Sequence, residues 1–322
     1  MAKNPTAVVS VVQCSPKLFD TDRTVAEVCR LTAESGKNGA DLVLFPEAYV
    51  GGYPWGLAFG TSVGGRTEAG RSIWQNYWDC AIDIPGRHTK LMAEAAKKAG
   101  VYLVVGVIER DSTYSSGTLF CTLIYFSPNG QILGKHRKLK PTAAERLIWG
   151  EGDGSTLTTV DTPFGCLGGL ICWENYMPLA RMAMYGKGVA IYLAPTADAR
   201  ERWQSTLRHI ALEGRCFVLG CNQYVTKDMY PRDMDIEGDL GSWPETLCRG
   251  GSAIYDPAGE CLEGPLYDKT GILTAEIEMD GVSRGKFDFD VVGHYARPDV
   301  FKFEVDQTAK PPITYGSDQG MP

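Results

Sequence analysis

Short apolar runs of strand character alternate with segments of helical period along this chain, and that alternation narrows the possible folds more than any other feature. Residues 7–12 form a β-rich run, broken at Ser15-Pro16, and residues 21–37 then set Val25, Val28, Cys29 and Thr32 at helical spacing. Residues 41–45, DLVLF, read as a compact strand that ends at Pro46-Glu47 and completes a βαβ unit. The pattern repeats: residues 87–98 place Leu91, Met92 and Ala95, with Ala99 beyond, on one face, Gly100 caps them, and a strand follows over 101–108. Residues 119–127 and 131–137 flank the turn Pro128-Asn129-Gly130 and predict a β-hairpin, with Lys138 at the end of its second strand.

The second half reads the same way. Residues 166–172, CLGGLIC, form an apolar strand, and Pro178 suits the first turn of a helix running to about Tyr185, which puts Cys172 at a strand-to-helix junction. Strands over 189–193, 217–221 and 272–277, a helix near 202–213 and a hairpin around Asp256-Pro257-Ala258-Gly259 complete an α/β pattern with a mixed sheet. Residues 51–80, rich in Gly, Trp and Tyr, and 226–250, rich in Asp, Pro and Gly, read as irregular surface insertions in one domain. Beyond Arg297 the chain becomes a polar tail.

A length of 322 residues with 44% hydrophobic content supports a sizeable buried core. The net charge of -7 provides no basic field for nucleic acid or an anionic membrane surface, so a small, neutral or modestly polar partner fits better. Nowhere do ~18 apolar residues run together, and the N-terminal apolar run is interrupted by Gln13, so neither a membrane span nor an export signal is expected. The 10 cysteines lie mostly in apolar stretches with no C-x-x-C pair, as in a reduced, cytoplasmic protein. The 4 histidines lack zinc-ligand spacing, and no metal or other cofactor is expected. GEGDGS at 150–155 lacks a P-loop lysine and EF-hand ligands and reads as a turn.

Glu47, Lys138 and Cys172 all fall at or just beyond strand ends, the edge where α/β sheets collect ligand sites. A thiol must lose its proton to attack, and a carboxylate with a neighbouring ammonium supplies that activation without histidine. Taken singly, each has a plainer reading: a buried structural thiol, a strand-end carboxylate, a lysine in a solvated basic run.

FPEAYVGGYPWG around Glu47, HRKLKPTAAERLIWGEGDGS around Lys138 and GGLICWENYMPLAR around Cys172 resemble the three signature blocks of the nitrilase family, in the family's order. LAPTADAR, RHIALEGRCFVLGCNQ and FDFDVVGHYARPDVF are nitrilase-like too, so the resemblance spans nearly the whole chain. It implies an α/β fold of four layers, an α-β-β-α sandwich with mixed sheets. It also implies a catalytic domain over residues 1–297 with a C-terminal tail over 298–322, and a homo-oligomer in which dimers extend to spirals or filaments. The insertions at 51–80 and 226–250 resemble those that build subunit contacts.

Residue by residue, the resemblance implies Glu47 as general base, Lys138 as the cation beside the developing anion and Cys172 as nucleophile. Glu145 matches a second glutamate that orients the lysine; alone it reads as a helix-start carboxylate. Tyr53, Trp55 and Trp173, and more weakly Pro195, are candidate walls of the substrate pocket, with core packing as the rival reading. The implied reaction converts a nitrile and water to a carboxylic acid and ammonia through a thioimidate and a thioester. Within the superfamily the rivals are an amidase, a carbamoylase and a cyanide-degrading enzyme. Outside it stand a non-catalytic oligomeric scaffold and a thiol redox protein, neither of which accounts for the three blocks.

Overall fold

The computed structural model describes residues 5–232, 234 and 237–314. Its first half runs through β1 (Thr6–Gln13), α1 (Thr21–Lys37), β2 (Leu42–Leu44), the small ribbon β3 (Thr61–Ser62) and β4 (Gly65–Arg66), α2 (Glu68–Cys80), α3 (Arg87–Ala99), β5 (Tyr102–Arg110), β6 (Leu119–Phe126) and β7 (Ile132–Arg137). The second contains β8 (Thr159–Thr162), β9 (Gly165–Gly169), α4 (Pro178–Gly186), β10 (Ile191–Pro195), α5 (Arg202–Gly214), β11 (Phe217–Cys221), β12 (Tyr224–Thr226), α6 (Glu237–Leu240), β13 (Thr246–Tyr255), β14 (Cys261–Tyr267), β15 (Gly271–Glu278) and α7 (Asp280–Asp288).

The strands build two mixed sheets, each around a parallel centre. The first has the order β15-β1-β2-β5-β6-β7, parallel across β1, β2 and β5. The second has the order β12-β13-β11-β10-β9-β8, with β14 also on β13, and is parallel across β9, β10 and β11. The last strand closes onto the first, with β15 antiparallel to β1 from Thr6 opposite Glu278 to Gln13 opposite Gly271.

Successive side chains of a strand face opposite ways, so strands apolar on both faces are covered on both faces. Leu42 and Leu44 of β2 join Ile191 and Leu193 of β10 in a core between the sheets. Their neighbours turn outward: Val43 packs with Val25, Val28 and Met92 of α1 and α3, and Tyr192 and Ala194 pack with Met184, Leu207 and Ile210 of α4 and α5. The result is the four-layer α-β-β-α sandwich. Asp20 caps α1 by accepting from the Arg23 N–H at 2.9 Å, and Pro178 opens α4.

Four local expectations change. Residues 51–80 are not wholly irregular, because α2 forms there; Thr67 caps it, and Tyr77 and Cys80 are buried beneath a polar outer face. Residues 226–250 include the start of β13 at Thr246. On α3, Leu91 is exposed and Ala96 joins the buried stripe instead, since Met92 and Ala96 are spaced one turn apart against α1. The strand expected over 166–172 ends at Gly169, and Cys172 opens a single 3₁₀ turn, Cys172–Tyr176. Among the described residues, no helix is long and apolar enough to cross a membrane. Residues 298–314 carry no helix or strand, but they run back over the turn at Asp153, whose carboxylate accepts the Lys310 N–H at 2.7 Å.

Candidate active site

Three chain segments bring Glu47, Lys138 and Cys172 together where the two sheets meet. Glu47 lies in the turn following β2, Lys138 directly follows β7, and Cys172 begins the turn that follows β9. The Glu47 turn crosses β5 at Gly106, where a Cβ would come within 2.1 Å of the Pro46 carbonyl oxygen, so only glycine permits the approach. Cys172 has φ 53°, a left-handed conformation that costs a non-glycine residue about 1–3 kcal/mol and that surrounding bonds must hold. Asn175 supplies two of these, donating to the carbonyls of Leu170 and Cys172 at 2.9 and 2.8 Å.

Lys138 is fully buried and donates to Glu47 Oε1 at 2.6 Å and to Glu145 Oε2 at 2.7 Å. Glu145 is itself oriented, accepting from the Tyr53 hydroxyl at 2.7 Å and from the Thr142 N–H at 2.6 Å. Trp149 presents its ring to the ammonium at 5.6 Å. Glu47 is fixed through its backbone, its carbonyl accepting from Gln223 Nε2 at 2.7 Å, while its Oε2 has no hydrogen-bonding partner among the described residues. The Thr196 hydroxyl lies 3.2 Å from Cys172 Sγ.

Burial dominates the electrostatics. It raises Glu47 from 4.5 to about 7, against the pull of Lys138, which turns a weak base into one suited to neutral pH. It also pushes the Cys172 thiol well above the ordinary thiol range, an effect to which the charge on Glu47 adds. Burial opposes the charge on Lys138, but Glu47, Cys172 and Glu145 outweigh it and hold the ammonium firmly protonated. The resting site is therefore a neutral thiol beside a poised carboxylate and a permanent cation.

A cavity of about 300 Å³ opens onto Cys172, and Tyr53, Trp55, Glu145 and Trp173 line it together with Asp198 and Arg200. A larger hollow of about 770 Å³ beside β1 and α1 holds none of these groups. Trp173 donates its indole N–H to Asp198 at 2.9 Å, and the Arg200 guanidinium lies 5.1 Å from its ring and pairs with the same carboxylate. Pro195, expected as a weaker wall, is buried at the end of β10 and absent from the cavity lining. Its neighbour Thr196 reaches the thiol instead. Thr196, Gln223 and Glu174 escaped sequence reasoning; each stands within two residues of a strand end or of Cys172, the one signal that could have found them.

The carbon-nitrogen hydrolase family matches residues 8–287. The aliphatic nitrilase of Sinorhizobium fredii (strain HH103) is 53% identical over 302 residues, covering 94% of this chain and 96% of that protein. A bifunctional nitrilase/nitrile hydratase of Nicotiana tabacum is 48% identical over 319 residues, covering 98% of this chain and 90% of that protein. A carbon-nitrogen hydrolase from Helicobacter pylori G27 shares the fold with a TM-score of 0.70 at 19% identity, over 92% of this chain and 97% of that one. With the family matched over most of its length and nitrilases about half identical to it from end to end, the chain belongs to the carbon-nitrogen hydrolase family, on its nitrilase branch.

Proposed function

We infer that this enzyme hydrolyses an organic nitrile to the carboxylic acid and ammonia through a covalent adduct on Cys172. The observation that carries the reading is the buried Glu47–Lys138–Glu145 cluster beside a cavity that opens onto the Cys172 thiol. It supplies a base, a cation and a nucleophile without histidine.

Glu47 takes the Cys172 proton, through the Oε2 that lacks another partner, as sulfur attacks the nitrile carbon and the proton passes to nitrogen. The product is a thioimidate, R–C(=NH)–S–Cys172. Water adds to its carbon with Glu47 as base, giving R–C(OH)(NH2)–S–Cys172, and Lys138 with the Trp173 backbone N–H stabilises the charge that develops. Loss of ammonia leaves a thioester, and a second water releases the acid and restores the thiol. If the C–S bond breaks instead of the C–N bond, the amide departs with the thiol restored. Glu145 holds Lys138 in place, and Tyr53, Trp55 and Trp173 wall the substrate. No cofactor enters this sequence.

The same reading makes the protein a homo-oligomer of dimers extending to spirals or filaments; Tyr176, Met177 and Leu179 lie exposed in one stretch and support it. A cytoplasmic setting accords with ten unpaired cysteines. The domain would end near residue 297, ahead of the tail.

Aliphatic and arylaliphatic nitriles, each tested beside its amide, check the activity. Ammonia and acid from the nitriles are expected, none from Cys172→Ala, and an acyl adduct on the Cys172 peptide after acid quenching. Ammonia from the amides alone overturns the reading.

A further inference from the structure

Glu174 lies two residues past the nucleophile, and the mechanism above leaves it unused. Its carboxylate is buried and joins two chain segments from different sheets. Oε2 accepts the Ile171 N–H at 2.7 Å, and Oε1 accepts the Leu139 N–H at 2.6 Å. Ile171 immediately precedes Cys172, and Leu139 immediately follows Lys138. The first bond is local capping of a 3₁₀ turn; the second spans 35 residues and crosses from the second sheet to the end of β7.

His136, also fully buried, completes the unit from β7. Its Nε2 lies 3.0 Å from Glu174 Oε2, and its Nδ1 lies 2.9 Å from the Thr156 carbonyl oxygen. A carbonyl can only accept, so Nδ1 donates to Thr156. Burial opposes a charge on His136, but the Glu174 carboxylate against Nε2 more than offsets it and favours the imidazolium form. Inside the protein such a charge-balanced, fully bonded pair is rigid, whereas removing one member strands the other.

We propose that Glu174, held by His136, is a positioning residue that fixes Lys138 and Cys172 relative to each other and thereby directs the tetrahedral intermediate to lose ammonia and not the thiol. The proposal rests on the nitrile-hydrolysing reading. In R–C(OH)(NH2)–S–Cys172, breaking C–N requires a proton on the nitrogen and charge support at the oxygen, both supplied by groups at fixed distances from Sγ. Breaking C–S needs only the departure of sulfur, with the proton returning to it. Loosening the link between the Lys138 and Cys172 segments therefore favours amide.

The test is the share of amide among products of one nitrile, measured for the wild type, Glu174→Gln and His136→Gln, with thermal melting and gel filtration alongside. A product ratio is independent of how much folded enzyme is present, so a purely structural role does not move it. In Glu174→Gln the amide replaces one acceptor and the pair loses its charge; a several-fold higher amide share is expected, with a smaller rise in His136→Gln, whose carboxylate keeps both N–H bonds. An amide share equal to wild type in Glu174→Gln overturns the proposal. If Glu174→Gln does not fold, His136→Gln decides by the same criterion. Failure of the wild type to turn over any nitrile would instead sink the functional reading, a separate result.

Discussion

Glu47 is useful because it is buried. With the carboxyl raised to about 7, it is a competent proton acceptor only when ionised, so kcat/KM should fall on the acid side of pH 7 and not near 4.5. A pH–rate profile flat down to pH 5 would exclude Glu47 as the base. Lys138 answers two carboxylates at once, at 2.6 and 2.7 Å. Lys138→Gln leaves Glu47 and Glu145 facing each other without a cation, a loss of about 3–5 kcal/mol of the kind seen when one partner of a buried pair is removed. Urea unfolding should show that loss together with loss of turnover; full stability would mean that the cluster repacks without its charge.

Among the elements, β5 matters as much for what Gly106 omits as for what it carries. Gly106→Ala would press its methyl group on the Pro46 carbonyl and on the Glu47 backbone, lifting the turn that carries Glu47. A decrease in kcat of tenfold or more is expected, with a lower Tm; a wild-type rate would show that the turn yields freely. Little of this was legible in the sequence. The apolar runs revealed β1, β2, β5, β6, β7, β9, β10, β11 and β15, a turn signal revealed the β13–β14 hairpin, and the helical segments revealed α1, α3, α4 and α5, because burial on one or both faces leaves a period that survives without coordinates, whereas the short strands β3, β4, β8 and β12 leave too few residues for one. The blocks around Glu47, Lys138 and Cys172 singled out the cluster, including Glu145. Gly106, Thr196, Gln223 and Glu174 stayed hidden, since each acts by a contact with a distant segment that no local period encodes. Helix α2 was masked by its own Trp, Tyr and Gly content, which reads as loop until Thr67 caps it and Tyr77 packs inward.

For the molecule as a whole, two buried groups set how stability responds to pH. Glu47 is raised on folding, so its contribution is complete below 4.5 and is lost as pH rises toward about 7. Burial opposes the charge on His136, but Glu174 more than offsets it; His136 is raised too, and its contribution is complete below 6.5 and is lost as pH climbs through its folded value. Carboxylates held down by arginines, such as Glu109 and Glu213, act with the opposite sign and lose their contribution as pH falls. Tm should therefore decline from mildly acidic toward alkaline pH, and Glu47→Gln should flatten the part of that decline between 4.5 and 7; an unchanged slope would refute the assignment. The pairing of β15 with β1 has a consequence of another kind. β1 has no outer neighbour until residues 271–278 have emerged from the ribosome. The sheet that presents Glu47 and Lys138 is thus completed only after every strand of the second has emerged, and a growing chain carries Cys172 well past its own synthesis before the sheet beside it is whole.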